Sequence, residues 1–147
     1  MLSFVLALVG ALHPQARHVG DVGVVSRAIA QVVSEEEPLP STTRERTAAI
    51  LVVMAWHESR FSMGVVGDNG RAFCALQVHG APSLAKSPVA CIRTAMRHMR
   101  ASMRSCPDAP LAAYAGGCKS PPARAISAAR LREAEIVEAV ALAAARP

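Results

Sequence analysis

The chain has 147 residues, enough for one domain around one hydrophobic core and nothing to suggest a second. It is 52% hydrophobic yet only 3% aromatic, so alanine supplies much of the apolar content and closely packed small-residue helices are expected. The net charge of +5, carried mostly by arginine, favours polyanions such as an anionic cell wall; nucleic acid ranks last, because the chain has no nucleic-acid motif and few aromatics for base stacking.

Residues Met1 to Ala16 begin the chain with an apolar segment as long as a signal-peptide core and too short to span a membrane. No basic residues precede it, and Gln15-Ala16 is a poor cleavage signal. It reads either as an export segment or as a core helix over Leu2 to Leu12. Asp21 then caps an expected helix from Val22 to Glu36, whose Val22, Val25, Ile29, Val32 and Val33 share one face. Pro38 and Pro40 close it. The acids Glu35, Glu36 and Glu37 stand at the end of the helix its dipole disfavours, and read as a solvated terminus.

Thr42-Thr43-Arg44-Glu45 has the form of a capping box. From Thr47 to Trp56 the chain is apolar on nearly every side, the pattern of a helix buried all round, and it ends at Glu58. A carboxyl held among Met54, Trp56 and Phe61 would lose hydration and have its pKa raised, the condition for a general acid near neutral pH. A salt bridge to Arg60, or exposure at the helix end, is the alternative. Phe61 to Gly80 is glycine-punctuated and reads as loop and short strands, with a hairpin closing at Asp68-Asn69-Gly70.

After a loop from Ala81 to Pro88, the spacing predicts a helix from Val89 to Ser105. Ile92, Ala95, Met96, Met99 and Met103 form its buried side, and the methionines read as core filler. Arg93, Arg97, Arg100 and Arg104 form a basic ridge opposite, either a solvated face or a hold on an anionic polymer. A short helix is expected to restart at Pro107 to Pro110 and carry Leu111 to Tyr114. Pro121-Pro122 reads as a break, and Ser127 to Ala145 as a closing amphipathic helix.

Cys74, Cys91, Cys106 and Cys118 include no C-x-x-C pair, which argues against zinc or thioredoxin-like sites. The pairings Cys106–Cys118 and Cys74–Cys91 are expected if the compartment is oxidising, with buried thiols as the alternative. His57-Glu58 fails as a zincin motif because Phe61 stands where a second histidine is needed. Neighbouring side chains on a helix point about 100° apart, so His57, Glu58 and Ser59 do not make a triad.

Glu58-Ser59, then Gly67-Asp68-Asn69-Gly70, then Ala72-Phe73-Cys74-Ala75-Leu76-Gln77-Val78, and later Ala113-Tyr114-Ala115-Gly116 form an ordered series. It resembles the lysozyme-like superfamily, specifically the soluble lytic transglycosylases (SLT domain) and goose-type lysozymes. The likeness covers 42–118 of an expected domain at 17–147, with 1–16 as the separate apolar segment. The resemblance implies a mainly helical α+β fold with a small β-hairpin region beside a cleft. It implies cleavage of the β-1,4 bond between N-acetylmuramic acid and N-acetylglucosamine in peptidoglycan. Glu58 would be the catalytic acid and then base. Ser59, Asp68, Phe73, Gln77 and Tyr114 would serve substrate binding, with Tyr114 holding the Glu58 carboxylate and Asp68 ordering the loop or a water.

No metal or cofactor is implied. The expected partner is the peptidoglycan glycan strand, met by a monomer that neither binds nucleic acid nor inserts stably into a membrane. The expected location is periplasmic or extracellular, or on a phage particle. The chain departs from the family pattern at Cys74, where the family has glycine, and at Ala115, where it has asparagine. His79 stands where goose-type lysozymes place a further acid. The Cys74 and Ala115 departures are the mark of the second reading, a non-catalytic muramidase-like module that binds glycan or protein.

Overall fold

The computed structural model describes residues 1–13 and 15–145; Pro14, and residues 146–147 at the end of the expected domain, lie outside the described residues. The protein is mainly helical: α1 (Leu2–Leu12), α2 (Val22–Glu35), α3 (Arg44–Ser59), α4 (Pro88–Ser105) and α5 (Pro121–Ala144). A small antiparallel sheet, β1 (Val66–Gly67), β2 (Ala72–Phe73) and β3 (Val78–His79), lies between α3 and α4 in sequence. Its register pairs Val66 with Phe73 and Ala72 with His79. No helix among the described residues is long and apolar enough to cross a membrane.

The apolar run organises the core. Every residue from Thr47 to Trp56 is buried, and α1, α2 and α5 pack around α3. The apolar N-terminal segment is one of these layers: α1 buries Val5, Leu8 and Val9 against the core. At the start of α3 the cap is Thr43, whose hydroxyl accepts the Arg46 N–H at 3.0 Å. The capping box expected from Thr42 to Glu45 therefore does not form, because the third helical residue is Arg46. Thr42 instead donates to the Leu39 carbonyl at 2.8 Å, and buried Thr47 accepts the Leu39 N–H at 3.0 Å.

Both expected disulfides are present, with Cα separations of 6.2 Å for Cys74–Cys91 and 5.2 Å for Cys106–Cys118, inside the reach of a bridge. The first ties the turn after β2 to α4. The second closes the segment between α4 and α5.

Four local readings change. Asp21 precedes α2 but its carboxylate does not cap it; it accepts the Met63 N–H at 2.8 Å, across from the α3 terminus. The segment from Pro107 to Gly116 is a series of turns, not a helix. The hydroxyls of Ser102 and Ser127 take the N–H groups of Ala113, Tyr114 and Leu111, offering the backbone partners outside a helix. Pro121 and Pro122 open α5 rather than break the chain, because first-turn positions need no N–H donor, and Ser120 caps it by accepting from Ala123.

The fourth concerns charge. The acids at the end of α2 are not a solvated terminus: Arg93 pairs with Glu35 at 2.6 Å and Glu36 at 3.2 Å, and Arg100 pairs with Glu36 at 3.1 Å. Arg100 also donates to the Glu37 carbonyl. Half of the arginine ridge is thus spent on docking α4 to α2.

Candidate active site around Glu58

Glu58 lies in the last turn of α3, and the chain leaves that helix through two non-glycine residues in the left-handed region, Arg60 (φ 55°) and Phe61 (φ 61°). Such conformations cost about 1–3 kcal/mol each and persist only where the surroundings impose them. Here the surroundings do. Phe61 is fully buried and its carbonyl accepts the Asp21 N–H at 3.0 Å, while Arg60 lies 4.1 Å above the Trp56 ring. His13 stacks on the same indole at 5.2 Å. Gly20, itself at φ +54°, passes so close that a Cβ there would come 2.4 Å from the Arg60 carbonyl oxygen. The connector between α1 and α2 therefore clamps the end of the helix that carries Glu58.

The carboxyl of Glu58 is half-buried, and burial raises its pKa above the ordinary glutamate value, with the Arg130 guanidinium pulling in the opposite direction. Arg60 does not make the salt bridge considered for it, since its guanidinium is over Trp56. Ser59 donates to the Ala75 carbonyl at 2.8 Å, which ties α3 to the turn between β2 and β3.

That turn is itself held in unusual backbone geometry, with Cys74 at φ 63° and Gln77 at φ 46°. The side-chain nitrogen of Gln77 donates to the carbonyls of Val65 and Cys74, both at 3.0 Å. Its oxygen lies where a Cβ on Gly67 would meet it at 2.2 Å, so a side chain there would displace the Gln77 amide. Asp68 accepts from Arg71 at 3.1 Å and pairs with His79 at 2.7 Å. Phe73 is 6% exposed in β2, buried rather than open to a ligand.

Tyr114 donates its hydroxyl to the Leu76 carbonyl, not to the carboxylate of Glu58. The two groups still sense each other: burial pushes the Tyr114 pKa well above its ordinary value, and the Glu58 charge pushes it further. A cleft of about 720 Å³ runs past this tyrosine, lined by Asp68, Gln77, His79, His98, Ser102 and Tyr114 among others. Glu58 is outside this lining. His98 has its pKa lowered by burial, and further by Arg97 and His79. A larger cavity of about 820 Å³ lies at the opposite end of α3, lined by Thr43, Arg46, Leu131 and Glu138 among others, away from these groups.

No family model, curated protein or solved structure matches this chain. The site therefore rests on its own geometry. The structure gathers Asp68, Gln77 and Tyr114 on one cleft, sets Glu58 within electrostatic reach of Tyr114, and places Ser59 and Phe73 in supporting positions. No group of three or more metal-ligating side chains occurs among the described residues.

Several neighbours of Glu58 and the cleft lie outside the motifs of the sequence. His98 was legible: it lies three residues after Ala95 and four before Ser102, on the same helical face. Arg130 and Glu133 reach the α3 terminus from α5, where Glu133 pairs with His57 at 2.7 Å. Only the packing of two helices distant in sequence could reveal that.

Proposed function

We propose that the protein is a lysozyme-like glycosidase that cleaves the β-1,4 bond between N-acetylmuramic acid and N-acetylglucosamine in peptidoglycan, by lytic transglycosylation. The observation that carries this reading is Glu58 itself: a half-buried carboxyl at the end of a helix buried all round, its pKa raised by burial, sensed by a tyrosine that lines a cleft. A carboxyl whose neutral form is favoured can protonate the departing glycosidic oxygen. Glu58 then holds a negative charge and can take a proton from the attacking hydroxyl. If that hydroxyl is the muramic acid 6-OH, an anhydro sugar forms; if it is water, the outcome is hydrolysis.

The other residues take roles suited to their contacts. Gln77 has both amide hydrogens engaged, which leaves its oxygen to accept from a glycan hydroxyl or N-acetyl N–H. Asp68 orders its loop through Arg71 and His79. Tyr114 holds the cleft wall through the Leu76 carbonyl. The paired cysteines are compatible with an exported protein or one carried on a phage particle.

A second reading is favoured by one observation, that Glu58 does not line the cleft. In that case the cleft binds glycan or a protein segment without cutting it. Turbidity clearing of purified peptidoglycan, with product masses, separates the two. Clearing with release of anhydromuramic ends supports transglycosylation. Sedimentation of the protein with intact peptidoglycan and no clearing supports the binding module.

A further inference from the structure

The face of α5 that meets the core recurs at spacings of three and four: Ala123, Ser127, Ala134, Val137 and Ala141 are all buried. Arg130 falls on the same seam, three residues after Ser127 and four before Ala134. A guanidinium in a row of small apolar side chains needs a reason, and its Nε is buried with no hydrogen-bond partner. An orphaned donor of this kind is costly, so it is retained only where something uses it.

The pairing of α3 with α5 indicates what does. Near the start of α3, Arg46 bonds Glu138; near its end, His57 bonds Glu133. Moving on along α3 therefore means moving back along α5, so Arg130, one turn before Glu133, lies towards the end of α3, near enough for its charge to act on Glu58. Other charged and titratable groups at this end are committed elsewhere. Glu133 holds His57, Arg60 covers Trp56, His13 stacks on that ring, Asp21 accepts from Met63, and Tyr114 donates to Leu76. From α1 and α2 no other charged side chain is placed against Glu58 by these contacts.

We propose that Arg130 is a positioning residue for Glu58: its guanidinium, held by a buried Nε, supplies the counter-charge that the carboxylate needs once it has given up its proton. Burial alone would favour the neutral acid and make it reluctant to release its proton. The cation on α5 limits that bias, so one side chain can give a proton in the first half of the reaction and take one in the second. No bond to Arg130 forms or breaks; the proton moves between Glu58 and the sugar oxygens. The catalytic meaning of this inference rests on the proposed glycosidase reading, but the electrostatic pairing does not.

The test is the titration of Glu58 in the full chain, followed by carboxyl carbon NMR and assigned with Glu58→Gln. In Arg130→Met the midpoint should move upward, in Arg130→Lys it should stay close to wild type, and in Glu133→Gln it should not follow Arg130→Met. An unmoved midpoint in Arg130→Met overturns the proposal and leaves Arg130 as a structural residue. Should that variant not fold, the chemical denaturation midpoints of Arg130→Gln, Glu58→Gln and the double variant at neutral pH decide. The loss caused by Arg130→Gln should shrink when Glu58 is already neutral; strictly additive effects contradict the pairing. Peptidoglycan clearing is measured separately, so a protein that titrates as expected without clearing refutes the glycosidase reading and not this one.

Discussion

The two ends of α3 treat charge in opposite ways. At the start, Thr43 caps the helix, and the nearly buried Glu138 carboxylate is met directly by Arg46, with Glu135 adding a second contact to Arg46 at 3.8 Å. The cap and the charged pair there have their partners. At the end, the helix leaves through two left-handed residues, the Glu58 carboxyl is half-buried without an ion pair, and Arg130 carries an orphaned buried nitrogen. Both ends belong to the same buried rod, so the difference comes from neither exposure nor helix propensity. A satisfied end adds to stability. An unsatisfied end held in place by a strained exit and clamped connector is where a protein keeps reactive groups available, at a cost to stability.

The largest expected effect comes from loosening what holds the reactive end. The Cys74–Cys91 bridge spans 17 residues and fixes the turn that receives Ser59 and Tyr114. Replacing both cysteines with serine should lower stability by about 3 kcal/mol in chemical denaturation. A smaller loss should follow Glu138→Gln at the satisfied end. Arg46 is 30% exposed and Glu138 only 11%, so removing the acid leaves a partly buried cation short of a partner. The cost should be about 2 kcal/mol, below that of a fully buried pair, read as a shift in urea midpoint with an unchanged slope.

The smallest effect has the opposite sign and sharpens the contrast. Glu58→Gln should stabilise the fold at neutral pH. The folded chain binds the Glu58 proton more tightly than the unfolded chain, because burial raises the folded pKa. Stability of the wild type therefore falls as pH rises from the unfolded carboxyl value, about 4.3, through the raised folded value. Glutamine has no such loss. Melting temperatures of the two proteins should converge below that window and separate above it, with the variant higher; a variant lower than wild type at neutral pH would show that Glu58 is a structural anion.

Much of this was legible from the residues. The unbroken apolar run predicted a helix buried all round because no polar face exists to solvate, and the spacing of Ile92, Met96 and Met99 fixed the inner side of α4. The even count of four cysteines made two disulfides an expectation, with buried thiols as the alternative, and both pairs are present. Other features were hidden because they depend on contacts between distant segments. Glu35 to Glu37 looked solvated until α4 brought Arg93 and Arg100 alongside. The turns around Tyr114 looked helical because Ser102 and Ser127, which capture their N–H groups, lie on neighbouring elements. In the site, Glu58 announced itself by ending an apolar run. Arg130 did not, since an arginine in an alanine-rich helix reads as a surface residue until the seam from Ala123 to Ala141 is traced.

The central claim is that the half-buried Glu58 carboxyl at the end of α3 is there to move a proton onto a glycan. Its most direct test is the initial rate of peptidoglycan clearing by wild type and by Glu58→Gln, at equal concentration and with glycan binding measured alongside. Glutamine keeps the shape and removes only the transferable proton, so clearing should fall by a factor of about 10² or more while binding is nearly unchanged. Clearing at the wild-type rate by Glu58→Gln would contradict the account.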